Sequence, residues 1–549
     1  MTSEKLKYVS LIILCAINLL NYMDRFTVAG IVTILQQPTD CINCACNSSH
    51  YHYRNTTHKN ISVGYECVAQ SSSRKNSSSG ICWCCCGLGI DDEQVGLLTT
   101  IFIVSYALLS PVFGYCGDRY SRKKLIALGI TIWSGFTLAG SFFKVYYAFL
   151  IMRSLVGVGE ASYGTIAPTI IADLFPANKR LLMLSLFYLT TPFGSALGYI
   201  VGSHVATLFN CWQWAFRVTP VFGIILALLC LCVVQEPPRG HSDTNSDGTM
   251  QSSQNMKGVS GAGAFLNDVV MILKCKSFVW STLGFSCMSF VVGALTQWAP
   301  TFIIWASQVA YGPKHGYTVS HASFYFGLVT VLTGVSGVLV GGEVARRWGK
   351  KNRQADALVC AIGLLGCVPF LFFALVYAHI APAVFWALCV FAEFLLCVMW
   401  APVAAILLYV IVPQRRSTAE AIQILFIHLL GDAFSPLIIG KISDSLRGTS
   451  HTPDVKHATP AEARQEYFAL QHASYITTFV AVLGGACFLV TSFYLVQDRK
   501  AAVDATRANK RSSERVLVNS GEDEDNDNSK EPSKWDYDTE CLVSGATCT

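Results

Sequence analysis

In the first part of the apolar stretch Met152–Phe175 (MRSLVGVGEASYGTIAPTIIADLF) stand one guanidinium and one carboxylate, Arg153 and Glu160. Seven residues is about two helical turns, so both side chains leave the same face of a helix. A full charge in hydrocarbon is costly enough that such groups face a partner or a watery cavity. Two outcomes follow: an ion pair that ties a helix bundle together, or a polar site in the membrane that binds and releases a ligand. Gly157, Gly159 and Gly164 keep this helix thin, so a neighbouring helix or a ligand can reach its backbone. A second adjacent pair, Asp24 and Arg25, lies about sixteen residues in from Tyr8, roughly 24 Å along a helix axis. That depth is at or beyond mid-membrane, too far in for an arginine to snorkel out.

The second half of the chain offers Glu393 and, four residues apart on one helix face, His428 and Asp432. A buried, hydrogen-bonded histidine is the ordinary outcome there, and a proton relay is the functional one. Tyr22, Tyr163, Trp298 and Trp400 are candidates to line a path, although aromatic residues in membrane helices commonly pack or anchor at the interface. No metal motif, phosphate loop or nucleophilic triad stands out. The sequence therefore points to no enzymatic activity, no cofactor and no metal.

The elements that must position these groups are membrane helices. Of 549 residues 52% are hydrophobic and 14% charged, against about a quarter charged in soluble domains. The apolar residues come in blocks near the ~20 residues that cross a bilayer, and helices are required because unpaired backbone in lipid is too costly. Twelve spans can be drawn: 8–35, 95–115, 125–143, 148–175, 181–209 and 215–234, then 277–309, 321–345, 355–378, 383–412, 417–445 and 473–496. The expected organisation is a first six-helix bundle (1–234), a polar cytoplasmic linker (235–276), a second bundle (277–498) and a disordered cytoplasmic tail (499–549). The net charge of +5 falls in short clusters between spans, which gives no surface for nucleic acid. Lys5/Lys7, Arg119–Lys124, Lys179/Arg180, Arg346–Arg353, Arg415/Arg416 and Arg499/Lys500 share one side of this arrangement, so both termini are expected in the cytoplasm. The first long loop, 36–92, lies on the other side and carries four glycosylation sequons, at Asn47, Asn55, Asn60 and Asn76. It also holds eight cysteines, expected to form disulfides in an oxidising compartment, in any of 105 pairings. A zinc site built on Cys41 and Cys44 with a nearby histidine is the alternative.

The connection after the second span, Gly114-Tyr-Cys-Gly-Asp118-Arg119-Tyr-Ser121-Arg122-Lys123-Lys124, is echoed after the eighth by Gly342-Glu-Val-Ala-Arg346-Arg347-Trp-Gly349-Lys350-Lys351. This is an internal repeat of six spans, a pattern many transporters show. The first copy resembles the G-x-x-x-D-R-x-G-R-K signature of the major facilitator superfamily, with Ser121 in place of the second glycine. Asp118 can offer its charge to the positive N-terminus of the eleventh helix, where Ser417-Thr-Ala-Glu420 reads as a capping box. A conformational latch built from Gly114, Asp118, Arg119, Arg122, Ser417 and Glu420 is the expectation, with Asp118 capping its own turn as the alternative.

A denser likeness runs through Asn21-Tyr-Met-Asp24-Arg25, Arg153 to Tyr163, Glu236-Pro-Pro-Arg-Gly240 and Arg416 to Asp432. In these motifs the chain resembles the Spinster family of lipid transporters, among them exporters of lysophospholipid and sphingosine-1-phosphate. The resemblance implies an all-α fold of twelve transmembrane helices in two six-helix bundles, acting as a monomer by alternating access. It also implies a lysosomal, late endosomal or plasma-membrane location and a single-chain lipid as substrate, with proton coupling. On this reading Arg25 and Arg153, helped by Tyr22, Tyr163 and Trp298, hold an anionic headgroup, since guanidinium pairs bidentately with phosphate. Asp24, Glu160, Glu393, His428 and Asp432 are then the proton carriers. A small organic anion or sugar is the rival cargo, and a non-transporting receptor or scaffold using the glycosylated loop is the rival class.

Overall fold

The computed structural model describes residues 3–37, 51–53, 67–69, 87–175, 177–209, 211–237, 269–312, 315–412, 415–448, 455 and 458–524. The four sequons, most of the first loop, the linker core, Pro413, and the side chains of Asp118, Arg119 and Ser417 lie outside the described residues. The apolar runs form helices, and among the described residues twelve long ones follow in order, two of them interrupted. The first six are α1 (Ser3–Gly30), α2 (Asp92–Arg119), α3 (Arg122–Gly140), α4 (Tyr146–Leu174), α5 (Ala177–Leu208) and α6 (Ala215–Val233). After them come α7 (Lys276–Tyr311), α8 (Val319–Gly349) and α9 (Ala355–Tyr377). Then α10 is broken into Pro382–Cys397 and Trp400–Val410, α11 runs Arg416–Phe426 and Ser435–Arg447, and α12 spans Pro460–Glu524. Two short strands in the first loop, Tyr51–Tyr53 and Cys67–Ala69, pair antiparallel. Among the described residues nine helices are long and apolar enough, by length and composition, to cross a membrane. Their outward faces carry large exposed apolar side chains such as Phe222 and Leu228 on α6 and Phe479 and Phe493 on α12, a surface suited to lipid and not to water.

Two apolar cores serve the two halves. One gathers α1 to α6 around Leu14, Ile17, Phe102, Trp133, Val156 and Ile170; the other gathers α7 and α9 to α12 around Met288, Cys360, Leu364, Met399 and Phe488. A third cluster belongs to both, joining Val28–Leu35, Val95 and Tyr199 to Trp298, Phe302, Phe326 and Tyr467. It lies at the end of the molecule where α1 finishes and α2 starts, so the halves are cemented there.

The largest departure from the sequence reading is at the C-terminus. Helix continues through 499–524, where a disordered tail was expected, and it starts thirteen residues before the apolar run. Thr459 and Glu462 cap each other's backbone, at 2.7 Å and 3.3 Å, and Pro460 occupies the first turn, where its missing N–H costs nothing. Hydropathy marks only the lipid-crossing part of a helix; the Ala, Lys, Arg and Glu beyond it are good helix formers in water.

Candidate functional site

Asp24 is fully buried in the first bundle, ringed by donors from three other helices. Its Oδ2 accepts from Trp133 Nε1 at 3.0 Å, Thr137 Oγ1 at 3.3 Å and Arg153 at 3.4 Å, and its Oδ1 accepts from Thr219 Oγ1 at 2.7 Å. Arg153 therefore pairs with α1, and not with Glu160 on its own helix. The shared face expected from their spacing does not become an ion pair: across two turns, the neighbouring helix offers the nearer carboxylate. The Arg153 guanidinium also lies over the rings of Phe102 and Phe216, at 5.0 and 6.0 Å. Glu160 is 3% exposed, with Oε1 lacking a hydrogen-bond partner among the described residues. The glycines act as expected by spacing: a Cβ on Gly159 would fall 2.6 Å from Trp133 N, and one on Gly164 would fall 2.7 Å from the Tyr106 hydroxyl.

Arg25, the neighbour of Asp24, turns the other way. Its guanidinium donates to Asp432 Oδ2 of α11 at 3.1 Å, bridging the halves, and sits 5.5 Å from the Phe102 ring. Asp432 is shared with His428 Nδ1, at 3.0 Å. Both residues lie in a π-helical turn, Ile427–Asp432, which carries one residue more per turn than an α-helix and is frequent at functional sites. Asp432 packs against Gly293 of α7. One residue further, Ala294 lines a small apolar cavity of about 50 Å³ walled by Trp298, Phe302, Phe385 and Leu396, with Glu393 as the one acidic group among its lining residues. Glu393 accepts from Thr333 Oγ1 at 3.0 Å.

Three of the aromatic candidates have structural partners. Tyr163 donates to Leu14 O at 2.7 Å inside the first core. Trp298 is 2% exposed and donates to Pro436 O at 3.0 Å. Tyr22 is partly buried and stacks on Phe26. Trp400 is exposed beside Phe285.

Beyond the site, one end is shut. Arg447, with a side chain of zero exposure, donates to Glu466 Oε2 at 2.8 Å, lies 3.8 Å from Asp92 and bonds to Asp444. Asp444 in turn accepts from the backbone N–H of Asp92 (3.3 Å) and Glu93 (2.7 Å), capping α2 with a carboxylate from α11. Sequence reading missed this cluster, because charges at helix ends look like ordinary solvated caps until the fold buries them. Towards the other end α2 and α11 expose Leu108, Val112, Glu420 and Ile424. Arg447→Ala should leave three carboxylates facing one another, and amide hydrogen exchange at Asp92 and Glu93 should accelerate by at least about tenfold. Unchanged exchange would show that the cluster does not hold this end closed.

The expected latch takes a different form in its described part. Arg122 pairs with Asp173 at the end of α4, at 2.7 Å, and Glu236 accepts from Ser121 Oγ and Arg122 N, both at 2.6 Å. These contacts stay within the first half. Helix α11 begins at Arg416 with Arg415 at its N-cap and no side-chain cap, so Ser417 falls inside the first turn, not at the cap.

The sequence profile described as Major Facilitator Superfamily matches residues 14–436. Protein spinster homolog 1 of Xenopus laevis is 41% identical over 505 residues, covering 91% of this chain and 83% of its own. The human protein of that name is 42% identical (89% and 81%), and protein spinster of Drosophila melanogaster is 36% identical (92% and 80%). Among solved structures, an inward-facing, occupied bacterial homologue of the human lysosomal transporter Spinster superposes with a TM-score of 0.66 at 18% identity, covering 90% of this chain and 98% of that one. A D-xylose–proton symporter gives 0.54 at 16% identity (86% and 96%). At such identities the superpositions speak for the fold alone.

Proposed function

The chain belongs to the Spinster family of the major facilitator superfamily, and on that premise we propose that it carries a lysolipid, a lysophospholipid or sphingosine-1-phosphate, across its membrane by proton-coupled transport. The observation that carries this reading is the Arg25–Asp432 bridge, set between the halves and next to an apolar cavity. An amphiphile needs both parts. Its phosphate competes with Asp432 for the Arg25 guanidinium, since a bidentate phosphate contact is a strong one. Its chain would follow the apolar walls beyond Ala294, where the cavity has to widen from about 50 Å³ to admit it.

Losing its partner would leave Asp432 with His428 alone, where it can take up a proton. Glu160, with one oxygen unpartnered, is the other candidate carrier, while Asp24 is held by four donors and is the less free to exchange. The two bundles would rock about this point, opening the shut end when the Arg447 cluster parts. Both termini would lie in the cytoplasm in a twelve-span arrangement, with the glycosylated, disulfide-linked first loop facing a lumenal or extracellular space.

The test is transport in proteoliposomes with labelled lysophosphatidylcholine, sphingosine-1-phosphate and glucose offered in turn. Movement of a lysolipid but not of glucose is the expected result; glucose transport alone would make this a sugar carrier. Movement of neither would leave the receptor reading. A second expectation concerns coupling. Glu160→Gln should flatten the dependence of transport on a pH gradient, by about tenfold in the gradient-driven component. An unaltered pH profile would remove Glu160 as carrier.

A further inference from the structure

The two halves treat one repeated position in opposite ways. In the first, the start of α3 meets the segment following α6, and that segment supplies a carboxylate: Glu236 accepts from Ser121 and from the Arg122 backbone. In the second, the start of α9 meets α12, but the residue presented there is Arg499. The nearby acid of α12, Asp498, is spent on the N-terminus of α7, where it accepts from Ser277 N at 2.8 Å.

The result is a cleft of about 390 Å³ lined by Arg346, Lys350, Arg353 and Arg499, with Asp356 as the one acidic group in its lining. Arg346 is neutralised by a bidentate bond to Glu343, at 2.7 and 2.8 Å. Lys350 and Arg353 have no ion-pair partner among the described residues. Arg499 is partly buried and lies 4.4 Å over the Tyr409 ring, which fixes its guanidinium as one wall. A general excess of Lys and Arg is expected on this face. What that rule does not require is their convergence from three segments on one concavity, at the position that the first half fills with its own carboxylate.

We propose that this cleft binds the phosphorylated headgroup of an anionic lipid of the adjacent leaflet, which takes the place that Glu236 holds in the first half. Basic pockets between membrane helices on the cytoplasmic side are suited to multiply charged headgroups, and the acyl chains would lie along the exposed faces of α8 and α10.

Native mass spectrometry of the full-length protein in detergent tests this, with phosphatidylinositol 4,5-bisphosphate, phosphatidylcholine and soluble inositol 1,4,5-trisphosphate as probes. The bisphosphate lipid should bind at least about tenfold more tightly than phosphatidylcholine, and the Lys350→Gln/Arg353→Gln/Arg499→Gln variant should lose on the order of a hundredfold. Arg347→Gln/Lys351→Gln, which removes two exposed charges outside the cleft, should stay within about threefold of wild type. A triple variant that binds normally, or a control that loses as much, overturns the proposal. Equal affinity for the soluble trisphosphate also overturns it, since the site would then serve a free phosphate ester. Should the triple variant not fold, Asp356→Asn is the substitute: it removes the opposing charge and should tighten lipid binding by about threefold, and unchanged or weaker binding counts against the cleft.

Discussion

Replacing Arg25 by alanine is expected to abolish lysolipid transport while the protein still folds and reaches its membrane. A charged hydrogen bond is worth roughly 1.5–3 kcal/mol, so losing the guanidinium should weaken headgroup binding on the order of a hundredfold. The fold should survive because Arg25 and Asp432 are not sealed: their side chains are 14% and 13% exposed, and His428 remains to pair with Asp432. The companion experiment sharpens the reading. Asp432→Asn frees Arg25 from its competitor, so lysolipid should bind more tightly but turn over more slowly. Binding by fluorescence and transport in proteoliposomes separate the two. An Arg25→Ala protein with full transport, or an Asp432→Asn protein with weaker binding, would remove the bridge from the mechanism.

Arg153→Ala should do something else: strongly destabilise the first bundle. Arg153 is 3% exposed, Asp24 is fully buried, and no second cation reaches that carboxylate among the described residues. Stranding a buried charge in this way costs about 3–5 kcal/mol, a large part of the ordinary 5–15 kcal/mol total. Thermal unfolding in detergent should show the loss, and Arg153→Ala/Asp24→Asn should recover part of it. A neutral amide needs no counter-charge; its oxygen can accept from Trp133 while its NH2 donates to the Thr219 hydroxyl. Strictly additive costs would show that the two side chains do not answer each other; a coupling of about 1 kcal/mol or more supports the pair. The contrast matters for interpretation, since lost transport in Arg153→Ala would report a missing fold as much as a missing ligand contact.

Much of the helical plan could be read from sequence because lipid makes it so. Apolar blocks of fixed length have few other solutions, and Lys and Arg mark one side. The candidate site was legible in its residue types and not in its pairings. Asp24, Arg25, Arg153 and Glu160 stood out as charges in apolar runs, yet spacing within α4 said only that Arg153 and Glu160 share a face, not which group Arg153 would meet. The true partner is set by how α1 packs against α4, which no local pattern carries. Trp133, Thr137 and Thr219 gave no signal at all, since a hydroxyl in a membrane helix commonly bonds its own backbone. Arg447, Asp92, Asp444 and Glu466 were hidden for the opposite reason: at helix ends charged residues are so ordinary that none of them seemed to need explaining. The cationic cleft was half visible, as the decayed second copy of a repeat.

The wide turn at Ile427–Asp432 bears on how this helix tolerates insertions and deletions. Removing one residue from a regular helix rotates everything beyond it by about 100°. In the second part of α11 that would break the bonds from Thr100 to Ala433 and from Trp298 to Pro436, and would swing Arg447 out of its acidic nest. At the π turn the chain holds a spare residue, so a single deletion can be absorbed by tightening the coil, with both flanks kept in register. Asp432 alone would be carried off its bearing toward Arg25. Length variation at this spot would thus be silent for folding and audible only in what the carrier moves.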